Sequence, residues 1–169
     1  MGLTAFLTIT GATQGKISAG AGTAESLGLA APSSPLHSDE ILVYAVKGDF
    51  TTPRDPVSGV ATGAPNFLGF TITKPFDKAS PLLFQAWSTG ETLTLVLNWY
   101  RSDPSGRPSP QSYYRHTFER ATIVNLIHYM PNVLAPENAP FAQLEDIQFS
   151  YRKLTVDHLI SATTGSVSR

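Results

Sequence analysis

The chain contains no cysteine. That excludes a disulfide framework, a zinc-thiolate site and thiol redox chemistry, and it leaves no thiol to report on the compartment. Charge is scarce as well. Asp, Glu, Lys and Arg make up 15% of the residues, whereas soluble domains usually carry about 25%. The 12 basic and 13 acidic residues leave a net charge of -1, so nothing draws the chain as a whole to nucleic acid or to anionic lipid. A surface this poor in charge is covered either by Ser and Thr or by other chains, and composition supports the two equally. No segment approaches the roughly 20 apolar residues of a membrane span, and "MGLTAFLTIT" lacks the basic start and apolar run of a secretory signal. "MGLTAF" has Phe6 where a myristoylation motif needs Ser or Thr. Synthesis and folding in the cytoplasm, without membrane insertion, are expected.

Catalytic patterns are also missing. There is no G-x-S-x-G elbow, phosphate-binding glycine loop or dinucleotide fingerprint. His37, His116, His128 and His158 are dispersed, with no HxxxH or HExxH spacing, so they read as surface or satisfied strand residues. Glu145 and Asp146 are adjacent, which in a strand puts them on opposite faces, a poor geometry for paired-carboxylate work. Tyr113, Tyr114, Tyr129 and Tyr151 interleave with Arg101, Arg115, Arg120 and Arg152. Such residues can stack single-stranded nucleic acid, but with no net positive charge their reading is core and interface packing. No cofactor, metal or enzymatic activity is expected.

What is present is strand signal. With 169 residues the chain is expected to form one domain, burying roughly 70% of its unfolded surface. "TAFLTIT", "EILVYAVKG", "NFLGFTITK" and "TLTLVLNWYR" are rich in β-branched and aromatic residues. In the last of these Leu93, Leu95, Leu97 and Trp99 alternate with Thr92, Thr94, Val96 and Asn98, so one face is large and apolar. "SDPSGRPSPQS" joins it to "YYRHTFERATIVNLIHYM" as a hairpin. That second run is too long for one simple strand, and a bend is expected near Glu119 to Ala121. "LEDIQFSYRKLTVDHLI" reads as one further long strand reaching His158. "SAGAGTAESLGLAAPSSPLHSDE" is a connection with weak helical character over Ala24 to Ala31. Asp49 to Pro65 carries Pro53, Pro56, Pro65, Gly59 and Gly63, which makes it an extended loop. Seven to nine strands and one helix predict a mainly β protein, an antiparallel barrel or sandwich.

The helix is expected at about Pro81 to Thr89. Ser80 is placed to cap it, Pro81 suits its first position, and Gly90 suits the left-handed residue that closes it. Leu83 with Trp87 and Leu82 with Ala86 form i to i+4 apolar pairs. Too short to stand alone, it reads as a plug on the sheet packed by Leu83 and Trp87, with Gln85 and Glu91 as the open question of neighbour contact.

Taken in order, "PRDPVSGVATG", "FTITKPFDKASPLLFQAWSTGETL", "NWYR", "YYRHTFERATIVNLIHYM" and "LEDIQFSYRKLTVDH" resemble the Hcp family of bacterial type VI secretion. The likeness runs from about Glu40 to His158. It departs at "APNFLG", where many relatives have a basic, His-containing stretch. The resemblance implies a β-barrel of two sheets with one flanking helix, hexameric rings that stack into an expelled inner tube, and small effectors carried in the lumen. Sheath and spike proteins are then the further partners. It assigns the contact to a neighbouring subunit or ring to the loop, with Thr52, Pro53, Arg54, Asp55, Val57 and Val60, and the lumen wall to Tyr44 and Val46. A phage-type tail tube and a monomeric barrel holding a small apolar ligand are the alternatives.

Overall fold

The computed structural model describes residues 4–28, 37–138 and 143–168, the side chains of Phe67 and Leu68 excepted. The strands are β1 (Ala5–Gly11), β2 (Gly15–Lys16), β3 (Ile41–Val43), β4 (Ala45–Thr51), β5 (Asn66–Pro75), β6 (Leu93–Arg101), β7 (Gln111–Tyr129), β8 (Leu144–Ser150), β9 (Lys153–His158) and β10 (Thr163–Ser168). Among the described residues two α-helices accompany them, α1 (Ala24–Leu27) and α2 (Ser80–Thr89), with one 3-10 turn at Pro136–Asn138. The short α1 is closed by Gly28 at φ 64°. It realises the first part of the helical character expected over Ala24 to Ala31, and residues 29–36 lie outside the described ones.

All strand pairs are antiparallel, in the order β2-β1-β6-β7-β8-β5-β4, with β3 added to β1, β9 to β7 and β10 to β9. The mainly β, antiparallel class is as expected. The ladder is not closed into the expected barrel: its path ends on β2 and β4. The run "EILVYAVKG" divides at Tyr44 into β3 on β1 and β4 on β5, and the Tyr44 N–H donates to Thr73 O at 2.8 Å. One stretch thus serves two partners.

β7 carries the bend predicted near Glu119 to Ala121. Leu95 pairs with Phe118 and Leu93 with Ala121, so Glu119 and Arg120 together oppose Thr94, and Arg120 takes φ 51°. A bulge of this kind turns a strand sharply. Before it β7 pairs with β6 and β9; beyond it, with β8. The single strand expected from Leu144 to His158 is instead two, because Tyr151 and Arg152 turn the same corner and the Arg152 N–H donates to Glu119 O at 3.2 Å. β10 was not legible, since "TTGSVS" is exposed throughout and lacks an apolar face.

The core follows the period of two. Leu93, Leu95 and Leu97 are buried, as are Leu7 and Ile9 on β1, Ile72 on β5, and Ile147 and Phe149 on β8. Burying each such side chain is worth about 1.5–3 kcal/mol. Asn98, on the expected outward face, is buried too and accepts the Arg115 Nε–H at 2.9 Å.

In α2 the expected closure is present, with Gly90 at φ 64°. The start differs from expectation. Ala79 holds the cap position without a side-chain hydrogen bond. Ser80 is the first helical residue, and its hydroxyl is taken up in a buried ion cluster. The packing face differs as well: Ser80, Leu83 and Ala86 are buried, whereas Trp87 is 44% exposed. The plug rests on Leu83, and Trp87 faces outward.

Candidate assembly surfaces

The loop after β4 is shorter and more ordered than its composition implies. Asp49 to Thr51 belong to β4, and residues 52–65 make a small hairpin held by an Arg54–Ala61 bridge, by Asp55 N to Val60 O at 2.9 Å and by Thr62 N to Pro53 O at 2.9 Å. Asp55 Oδ1 accepts from Ser58 N at 2.6 Å, Ser58 Oγ at 2.9 Å and Val57 N at 3.0 Å. These bonds, those from Ser58 first, hold its carboxyl below the usual carboxylate range. Asp55 therefore builds the turn rather than pairing with Arg54. Thr52, Pro53 and Arg54 are exposed, and the hairpin presents Val57 at 94% and Val60 at 63% exposure. A hydrogen-bonded turn thus holds two valines in solvent.

A second exposed apolar face lies on α2 and the end of β5. Phe76, Leu82, Phe84 and Trp87 are all exposed. Phe84 and Trp87 have ring centroids 5.6 Å apart, and His128 stands edge-on to Phe76 at 5.0 Å. Phe76, Asp77, Ser80, Pro81, Phe84 and His128 line a shallow groove there.

Beneath this groove lies a cluster absent from the sequence reading. Lys74 on β5 and Glu145 on β8 are direct cross-strand partners, and both are fully buried. Lys74 Nζ reaches Glu145 Oε1 at 2.5 Å, Pro75 O at 2.9 Å, Asp77 Oδ1 at 3.0 Å and Ser80 Oγ at 3.1 Å. The Ser80 hydroxyl donates to Glu145 Oε1 at 2.7 Å, and His128 Nε2 lies 3.1 Å from Glu145 Oε2. Burial pushes the Asp77 carboxyl up, against the pull of Lys74. The cluster ties β5, β8 and the first turn of α2 together, which fixes the direction in which the aromatic face points. Asp146 faces the other way, to Thr73 Oγ1 at 2.6 Å, so the opposite-face reading of the acidic pair holds.

Val46 lies opposite Ile72 and packs against the core, while Tyr44 is 51% exposed. Of the two residues assigned to a lumen wall, only Tyr44 offers a large free surface. Glu91 is occupied within the chain: Oε1 accepts Thr13 N at 2.6 Å and Gln14 N at 2.8 Å, and Oε2 accepts Gln14 Nε2 at 2.7 Å. The Gln14 side chain chiefly holds its carboxyl low, and the close approach explains Gly11, where a β-carbon would sit 2.3 Å from Glu91 Oε1.

His116 is a satisfied strand histidine. It stands between Trp99, Phe70 and Phe118, and Trp99 Nε1–H donates to its Nδ1 at 2.8 Å. Burial lowers its pKa. The unfolded chain, with a histidine pKa of about 6.5, binds a proton that the folded chain refuses. Stability from His116 is therefore complete above about pH 6.5 and falls with pH through that value until the lower folded pKa is passed. Urea midpoints between pH 7.5 and 5 are expected to drop less in His116→Gln than in the parent; equal slopes would remove His116 from the acid response.

The comparisons with known proteins agree with one another. The profile of the family described as "Type VI secretion system effector, Hcp" matches residues 6–158. A "Major exported protein" of Pseudomonas aeruginosa is 43% identical over 167 residues, covering 98% of this chain and 95% of its own. A crystal structure of an Hcp protein superposes with a TM-score of 0.91 at 34% identity, over 99% of this chain and 98% of that one. The secreted protein Hcp3 from Pseudomonas aeruginosa gives 0.79 at 35% identity, over 99% and 98%. Profile, sequence and fold converge, and the chain belongs to the Hcp family of type VI secretion.

Proposed function

We propose that this chain is a structural tube subunit that forms hexameric rings, that the rings stack into an inner tube, and that the tube is expelled with small effectors in its lumen. Assembly takes place in the cytoplasm, and sheath and spike proteins are the remaining partners. The observation that carries the reading is the pair of dissimilar exposed apolar surfaces, Val57 and Val60 on the hairpin and Phe84 and Trp87 on α2. A closed ring built head to tail needs two different, complementary patches on each copy, and a non-closing stack needs a further pair. The sparse charge fits a surface largely covered by other copies, and no chemistry is assigned to the chain. In this reading the stretch 41–51, on β1 at one end and β5 at the other, serves as the seam of a barrel of two sheets, and Tyr44 lies on the lumen side of that seam.

Deleting Thr52 to Ala61 is expected to leave a folded protein with an unchanged circular dichroism spectrum and a loss of rings or stacks in light scattering and electron microscopy. Assembly unchanged by the deletion would withdraw the loop's role, and a parent chain that stays monomeric at high concentration would overturn the tube. The apolar-ligand barrel has no observation in its favour, since large side chains such as Phe118, Phe149 and Leu97 fill the interior.

A further inference from the structure

At the corner where β7 and β8 leave one sheet for the other, Thr92, Arg120, Thr122, Ser150, Tyr151 and Arg152 line one open depression. We infer that it is an oxyanion-binding site, accepting a phosphate or a carboxylate group.

Every polar side-chain group in this lining can donate a hydrogen bond, and no carboxylate is among them. Thr122 and Ser150 are cross-strand partners, and Arg120 and Arg152 flank them on the same two chain segments. The two acids adjacent to lining residues in sequence are engaged elsewhere, Glu119 with Lys153 Nζ at 2.7 Å and Glu91 with Thr13 and Gln14. Arg120 and Arg152 have no ion pair or side-chain hydrogen bond among the described residues. Lys16, Lys47, Lys74 and Lys153 have an acid within 3.3 Å, whereas no arginine among the described residues is ion-paired, Arg101 and Arg115 being held instead by Gln111 and Asn98. In a chain this sparing of charge, two unpaired guanidiniums in one depression leave a local excess of positive charge with no internal counterion. The Thr92, Thr122 and Ser150 hydroxyls are likewise without a hydrogen bond among the described residues. The floor is firm, since Tyr151 is buried with its ring edge-on to Phe118 at 5.0 Å.

The bulge does not itself call for arginine. At φ 51° Arg120 occupies a conformation that a β-carbon disfavours and glycine takes freely. What arginine adds there is a planar fork that matches the oxygens of a phosphate or carboxylate, beside a second one from Arg152. The hydroxyls supply the remaining donors.

The test uses the full chain and inorganic phosphate, read by the phosphorus line width at constant ionic strength. Saturable broadening is expected, weakened about tenfold by Arg120→Gly or Arg152→Gln alone and abolished by both, as for loss of a charge-assisted hydrogen bond. Arg120→Gly suits the bulge, so its thermal midpoint is expected to hold or rise while binding falls, which a purely structural role would not produce. Displacement of phosphate by acetate would show that the site also accepts carboxylates; retention would restrict it to phosphoryl groups. No saturable broadening in the parent, or equal broadening in the double variant, would overturn the inference.

Discussion

Replacing Lys74 with Met is expected to lower the free energy of unfolding by about 3–5 kcal/mol, the usual cost of leaving a buried charge without its partner. Here the loss falls on two acids, because the Lys74 ammonium serves both Glu145 and Asp77, and all three side chains are sealed from solvent. Burial already pushes the Asp77 carboxyl up with the cation in place. Without it, two carboxylates would face one another with no cation between them, Glu145 keeping the Ser80 hydroxyl and the His128 contact and Asp77 the Ala79 N–H. Changing Glu145 to Leu and Asp77 to Asn as well as Lys74 to Met is expected to restore most of the stability, because an apolar replacement of a whole buried ion set is often neutral or better. Urea denaturation of the single and triple variants decides the matter. A single variant within about 1 kcal/mol of the parent would mean that water enters the cluster and shields it.

The second large effect separates the two sides of α2. Leu83→Ala is expected to cost about 2–5 kcal/mol, the range for a fully buried leucine whose cavity does not collapse. Trp87→Ala is expected to change monomer stability by no more than about 0.5 kcal/mol, as surface replacements do, and to weaken association between copies, since large aromatic anchors carry much of the energy of interfaces. Urea unfolding at high dilution gives the first quantity and light scattering the second. A large loss of stability from Trp87→Ala would return that residue to the role of plug that the i to i+4 spacing implied.

That spacing shows where the sequence was readable and where it was not. Period-two alternation placed Leu93, Leu95 and Leu97 on the core face, because large leucines recur at every second position between the smaller or polar Thr92, Thr94, Val96 and Asn98. The bend at Glu119 to Ala121 was visible because the apolar run outlasts any simple strand. For α2, proline and glycine gave the limits to within a residue, although Ser80 proved not to be the cap. The apolar pairs did not give the buried side, since Leu82, Phe84 and Trp87 read as apolar wherever they point, and an exposed apolar face looks like a core face.

The ion cluster had a signal that went unused. Lys74 continues the series Phe70 and Ile72, and Glu145 begins the series that runs through Ile147 and Phe149. Both charges therefore fall on the inward face of their strands, and two opposite charges at inward positions predict each other. What the sequence lacked was the register that sets them side by side. The division of the 41–51 stretch at Tyr44, and of the last long strand at Tyr151 and Arg152, was hidden for a related reason. A strand that changes partners keeps its β composition throughout, and only the sheet says where the change occurs.

The same register has a consequence for how the chain comes into being. Lys74 and Glu145 are separated by 71 residues. At about 5–20 residues per second, a ribosome takes on the order of 4–14 s to supply the second after the first. For that interval β5 has β4 on one edge and nothing on the other, and its lysine stands in water. A charge at that position is expected to discourage the waiting edge from recruiting the strand of another nascent chain, as inward-pointing charges do on edge strands generally. A lysine that is buried in the finished chain is thus expected to help keep the unfinished chain apart from others until β8 arrives.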